Sequence, residues 1–228
     1  LIKSGLLDGD RDVVDEVMLF IEGNSRKPIG RNYFHQYSGS AVPLSSHTID
    51  MHHIETVRTL LQHREENHPI NILLYGAPGT GKTEFARSLG KHLGLSVYEI
   101  SGMNADSSSS DTLKSGSGFR YRAYLACQRS VDVPRSMIVV DEADEMLNTV
   151  PRYFFSSPST EKGMVNRILD DSRAFTVWIT NRYDDIDDST KRRFDFSIGF
   201  EKLTFEQRCS IWRHAVRKHR VARMFTPE

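Results

Sequence analysis

Cysteine is almost missing from this sequence: Cys127 and Cys209 are the only two among 228 residues. Two isolated thiols build neither a disulfide framework nor a thiolate metal site, so a reducing compartment, the cytoplasm, is expected. Long apolar runs are missing too. No stretch approaches the roughly 18 consecutive apolar residues of a membrane span, and Leu1–Asp10 lacks the basic region and apolar run of a secretory signal. Net charge is also absent, with thirty Lys plus Arg against thirty Asp plus Glu. A balanced chain sets up no overall field that would draw it to nucleic acid or an anionic membrane. The nine histidines are scattered. Neither His52-His53 nor His63-Arg64-Glu65-Glu66 forms the H-E-x-x-H of a zinc protease. There is no internal repeat, and the one low-complexity patch is Ser107–Ser110. The chain does not begin with Met, which leaves what lies upstream and downstream open.

What is present suits a folded domain, with 38% hydrophobic and 26% charged residues. Asp12–Glu22 places Val13, Val14, Val17, Met18 and Ile21 at helical spacing, and Gly23-Asn24 ends it. Ser25–Ser46 mixes Gly, Ser, Pro and aromatic residues without a period, as an irregular connection or docking arm does. Asp50–Arg64 is again helical, with Ile54, Val57, Leu60 and Leu61 in one stripe and Thr48 or Asp50 as N-cap.

Beyond this point the period changes. Ile70–Tyr75, Ser96–Ile100, Met137–Val140, Ala174–Thr180 and Asp195–Phe200 are short β-rich runs, several of them continuously apolar, as strands buried on both faces are. Helical stretches at Lys82–Leu93, Phe119–Arg129 and Glu161–Asp171 separate them. This alternation specifies an α/β fold in three layers, with a parallel five-stranded sheet between helices. Thr204–His219 adds a last helix carrying Phe205, Ile211, Trp212 and Val216.

The most specific motif is Gly76-Ala77-Pro78-Gly79-Thr80-Gly81-Lys82-Thr83, followed by Glu84. It fits G-x-x-x-x-G-K-[ST] in full and joins a strand to a helix, the context its chemistry requires. The glycines let backbone amides point inward at a phosphate, and the helix N-terminus adds positive potential. Lys82 is placed to reach the terminal phosphates, and Thr83 to offer its hydroxyl to magnesium. Downstream, Ser136–Val140 delivers Asp141 and Glu142 at a strand end. Such a pair alone is more often a helix cap or solvated charge. Below a phosphate-binding loop it fits a magnesium ligand, Asp141, and a residue that polarises an attacking water, Glu142.

These motifs resemble those of the AAA+ ATPase superfamily, in particular its AAA-type members, over roughly Ile49–Trp212. GAPGTGKT looks like the Walker A loop and IVVDEAD like the Walker B strand. VWITN, at Val177–Asn181, looks like the sensor 1 strand, and STKRRFDF, at Ser189–Phe196, like the arginine-finger region. The resemblance implies a P-loop NTPase fold with strand order 5-1-4-3-2, ATP and ADP as ligands, and Mg2+ as cofactor. It implies that Asn181 contacts the attacking water or the γ-phosphate. Arg193 would reach the ATP of a neighbouring subunit, with Arg192 sharing or taking that role. A homo-oligomeric ring, most often a hexamer, would then belong to the mechanism.

Two departures qualify the resemblance. Where polypeptide-threading AAA proteins carry an aromatic residue before glycine, this chain reads Leu113-Lys114-Ser115-Gly116-Ser117-Gly118, and a second aromatic candidate, Tyr153-Phe154-Phe155, lies after the Walker B strand. The residues after Phe200 are also too few for a complete helical lid. The expected organisation is an N-terminal helix and docking arm at 1–46, a large α/β ATPase subdomain at 47–202 and the first helix of a lid at 203–228. The function expected is ATP binding and Mg2+-dependent hydrolysis coupled to remodelling of a macromolecular client, protein rather than nucleic acid. A nucleotide-switched scaffold is the alternative. A DEAD-box helicase, suggested by Asp141-Glu142-Ala143-Asp144, is a weaker one, because Ile179-Thr180-Asn181 replaces the Ser-Ala-Thr of that group.

Overall fold

The structure is a computed structural model that describes residues 33–64, 68–101, 117–149 and 158–218. The expected N-terminal helix Asp12–Glu22, Ser107–Gly116 and Tyr153–Phe155 lie outside the described residues. Strands β1 (Phe34–Gln36), β2 (Ile70–Gly76), β3 (Ser96–Ile100), β4 (Ser136–Val140), β5 (Phe175–Thr180) and β6 (Phe196–Phe200) form one sheet in the order β1-β3-β4-β5-β2-β6. The helices are α1 (Met51–Gln62), α2 (Lys82–His92), α3 (Ser117–Ser130), α4 (Asp144–Leu147), α5 (Pro158–Asp171), α6 (Asp188–Lys191) and α7 (Phe205–Lys218). None of them is long and apolar enough to cross a membrane.

The continuous apolar strands are explained by two separate cores, one on each face of the sheet. Leu73, Ile138, Val140 and Trp178 point to the face covered by α3, α4 and α5, against Ala123, Tyr124, Leu147 and Leu169. Their neighbours Ile72, Leu74, Val139, Val177 and Ile179 point to the other face, against Ile54 and Val57 of α1 and Phe85 and Leu89 of α2. Strand periodicity of two is therefore present, but both phases are apolar. At the start of α1, the Asp50 carboxylate accepts the His52 amide at 2.9 Å, an N-cap that satisfies one free donor of the first turn.

The five expected strands run parallel in the expected order, and the sheet gains a sixth that the sequence pattern did not reveal. β1 pairs antiparallel with β3, Phe34 opposite Ile100 and Gln36 opposite Tyr98. Tyr33, just before it, is buried and stacks on Phe119 at 5.4 Å. The segment expected to be an irregular arm thus closes one sheet edge from Tyr33 onward, and Leu44 also enters the core. A three-residue strand with exposed His35 and Gln36 carries too little apolar pattern to stand out.

Asn71 interrupts the apolar run of β2 and is 1% exposed. Its carboxamide donates to the Leu169 carbonyl at 3.0 Å and accepts from the Trp178 indole at 3.0 Å. It thereby ties β2 to both β5 and α5. Asn71→Ala leaves a buried indole N–H and a buried carbonyl unpaired, and is expected to cost about 2–4 kcal/mol in urea unfolding. A loss under about 0.5 kcal/mol would show that neither bond matters.

Candidate nucleotide site

β2, β4 and β5 end at the same edge of the sheet, where open α/β folds bind ligands. The turn after β2 starts at Gly76, whose φ is 139°. A Cβ there would meet the Phe200 carbonyl oxygen at 2.2 Å, so only glycine lets β2 and β6 close up beneath the loop. Gly81 has a φ of 91° and hands the chain to α2, which begins at Lys82. Pro78 and Gly79 are exposed at the tip, whereas Thr80 turns inward and donates its hydroxyl to the Ala77 carbonyl at 2.9 Å.

Lys82 is 5% exposed. Its ammonium donates to the carbonyls of Gly76 at 2.9 Å and Ala77 at 2.8 Å, folding back over its own loop. Burial pulls its pKa down, and Asp141 and Asp144 oppose that shift. The Thr83 hydroxyl donates to an Asp141 carboxylate oxygen at 2.7 Å. Glu84 faces away from this cluster, accepting from the Val42 amide at 3.3 Å and pairing with Arg87 at 3.6 Å.

The turn after β4 is held by several bonds. Asp141 accepts the Glu142 amide at 2.8 Å on its own side chain, and the Ala143 amide donates to the Ile179 carbonyl at 2.8 Å. Glu142 is the only non-glycine residue with positive φ among the described residues, at 49°, and its side chain is exposed. Asp144 accepts from the Thr180 hydroxyl and the Asn181 amide, both at 2.9 Å. This ties the end of β5 to the acidic turn. The Asn181 side chain is exposed and makes no hydrogen bond among the described residues.

The expected finger region, Ser189–Phe196, runs from α6 through the following turn into β6, and Arg192 and Arg193 lie just past the end of the helix. Asp187 caps that helix, accepting the Ser189 amide at 2.7 Å and the Thr190 amide at 3.1 Å, and pairs with Lys162 at 2.7 Å. Burial pushes the Asp187 carboxyl up, but Lys162 and these amides outweigh it and hold it below the ordinary carboxylate range. Arg193 is bound within its own chain: its Nε lies 3.0 and 3.1 Å from the two Asp170 carboxylate oxygens and its Nη1 2.6 Å from the Ser189 carbonyl. Arg192 is exposed, and its side chain has no partner among the described residues.

Sequence reasoning missed Asp144, Thr180 and Arg120 as parts of this site, and also the stack of Tyr75 on Tyr183 at 4.1 Å. Lys191 lies 4.4 Å above the Tyr183 ring, so aromatic contacts link the strand before the loop to α6. Only the tertiary structure brings these residues together. The acidic spacing around Asp144 was the one signal in the sequence.

This arrangement defines a P-loop nucleotidase of the open α/β type. Residues 72–202, more than half of the chain, match the family model of ATPases associated with various cellular activities. The chain belongs to this AAA ATPase family. It is 28% identical over 152 residues to the ATP-dependent zinc metalloprotease FtsH of Mycoplasmoides gallisepticum, a match covering 63% of this chain and 19% of that protein. It is 23% identical over 158 residues to the replication factor C large subunit of Haloquadratum walsbyi, covering 68% and 29% respectively. The chain thus spans less than a third of either relative. The solved structure of the FIGL-1 AAA domain in complex with ADP superposes with a TM-score of 0.58 at 20% identity, covering 91% of this chain and 68% of that one. That similarity shows the shared fold.

Gly76→Ala forces Cβ into the Phe200 carbonyl, whereas Gly81→Ala meets open space and pays only for its positive φ. Gly76→Ala is therefore expected to lose about 3 kcal/mol or more in urea unfolding, and Gly81→Ala about 1–2 kcal/mol. Equal losses would contradict the close packing of β2 on β6.

Proposed function

We propose that this chain binds Mg-ATP at Gly76–Thr83 and hydrolyses it, that an arginine from a second copy completes the site in a ring-shaped homo-oligomer, and that the cycle remodels a protein client. The observation that carries the reading is the 2.7 Å contact between Thr83 and Asp141 directly beside Glu142. A hydroxyl and a carboxylate in contact are hard oxygen donors of the kind Mg2+ takes once or twice while keeping several waters. Bound there, magnesium would neutralise charge on the β- and γ-phosphates.

The chain's own groups do the rest. Lys82 exchanges the carbonyls of Gly76 and Ala77 for phosphate oxygens, while the loop amides and Thr80 hold the phosphates in place. Glu142, exposed at the turn, orients and polarises the water that attacks the γ-phosphate, and Asn181 contacts that water or the phosphate from the end of β5. Arg193 or Arg192 of a neighbouring copy meets the charge that develops as the terminal phosphate leaves. Arg192 has no side-chain partner among the described residues, whereas Arg193 must first leave Asp170.

A protein client is favoured by the balanced charge and by the likeness to an ATP-dependent protease, whereas the likeness to a replication factor keeps nucleic acid as the alternative. In this reading 47–202 is the ATPase body, with part of 1–46 packed on it, and α7 begins a helical lid at 203–228. The engagement of Arg193 by Asp170 favours one further reading, a nucleotide-switched scaffold with little turnover until partners assemble.

Phosphate release and binding of a fluorescent ADP analogue separate the roles. Lys82→Ala is expected to lose nucleotide binding. Glu142→Gln is expected to bind normally while turnover falls by about 10²-fold or more. Turnover of Glu142→Gln equal to wild type would refute its role, and wild-type binding without turnover at any concentration would favour the scaffold.

A further inference from the structure

Arg120, on the first turn of α3, is 6% exposed, an unusual position for a guanidinium. Its Nη2 donates to the backbone carbonyl of Asp141, and its Nε has no hydrogen-bond partner among the described residues. Burial lowers its pKa, and Glu142, Asp141, Glu145 and Asp144 act in the opposite direction, Glu142 most strongly. A buried arginine with an unsatisfied donor is costly, and a packed apolar residue would serve stability as well or better. Its position therefore needs a reason other than packing.

We propose that Arg120 is a positioning residue for ATP hydrolysis, holding the acidic turn so that Glu142 stands out in its left-handed conformation. The inference rests on the ATPase reading above and goes beyond it. Among the described residues the main chain of Asp141–Ala143 is fastened at three points. The Asp141 carboxylate takes the Glu142 amide, the Ile179 carbonyl takes the Ala143 amide, and Arg120 takes the Asp141 carbonyl. A left-handed φ at a glutamate costs roughly 1–2 kcal/mol and persists only where its surroundings fix it. Of these three, Arg120 is the one supplied by a helix.

Its charge has a second effect. Four carboxylates fall within Asp141–Glu145, and Lys82, the other buried cation facing them, is drawn to phosphate once nucleotide binds. Arg120 then remains as the standing counter-charge beside Glu142. A displacement of α3 would be felt directly at the Asp141 carbonyl.

The test uses the full chain with Arg120→Leu, Arg120→Lys and Glu142→Gln, alone and combined. Arg120→Leu is expected to lower kcat roughly ten- to a hundredfold while binding of the fluorescent ADP analogue in EDTA stays within about twofold. Arg120→Lys keeps the charge and one donor and should recover part of the loss. In the Glu142→Gln background, Arg120→Leu should cost almost nothing further, because it acts through Glu142. Independently of turnover, the Mg2+ concentration at half-saturation of ADP-bound protein should fall in Arg120→Leu, since a positive charge beside Asp141 has gone.

An active wild type matched by Arg120→Leu overturns the role of Arg120 alone. So does a parallel loss of ADP affinity, thermal stability and turnover with no rescue by lysine, which marks a structural residue. A wild type with no turnover overturns the ATPase reading, and an active wild type no faster than Glu142→Gln overturns the role of Glu142; either result takes this inference with it.

Discussion

The site depends on one constraint of sheet order: β2 and β4 lie on either side of β5. The loop after β2 and the carboxylates after β4 are far apart in sequence, and the Thr83–Asp141 hydrogen bond spans 58 residues. Parallel strands deliver all three ends to one edge, and the two apolar cores fix their heights through alternating side chains. A slip of one residue in β4 would turn Val139 and Val140 to the wrong faces and carry Asp141 away from Thr83. The hydrophobic register is therefore also the register of the nucleotide site.

Around that edge, buried charges are held by geometry rather than by solvent. Lys82 covers its own loop carbonyls, Asp144 binds the end of β5, and Arg120 grips the Asp141 carbonyl. The site is thus pre-formed in its backbone and closed in its side chains. On the proposed reading, Lys82 exchanges these partners for phosphate, and Arg193 leaves Asp170 to act on a neighbour.

Much of this was legible in the sequence because it is local. The glycine spacing of Gly76–Thr83, the apolar run into Asp141-Glu142 and the helix between them need only neighbours along the chain, and the fold placed them as expected. β1 was not legible, because Phe34–Gln36 becomes a strand only through pairing with β3. Nor was the cis engagement of Arg193, whose partner Asp170 lies 23 residues away near the end of α5. Arg120 reads in sequence as one more cation of the helical stretch Phe119–Arg129. Only its burial against the acidic turn gives it a different meaning.

The central claim is an active site shared between copies, and mixing two variants tests it most directly. Arg193→Ala keeps Glu142, and Glu142→Gln keeps Arg193, so each alone should be nearly inactive. Interfaces formed between them should restore phosphate release well above the sum of the separate rates, rising with protein concentration. A mixture that never exceeds that sum, together with an Arg193→Ala that is fully active, would contradict a shared site completed by Arg193. If the Arg192→Ala mixture alone showed complementation, the role would pass to Arg192.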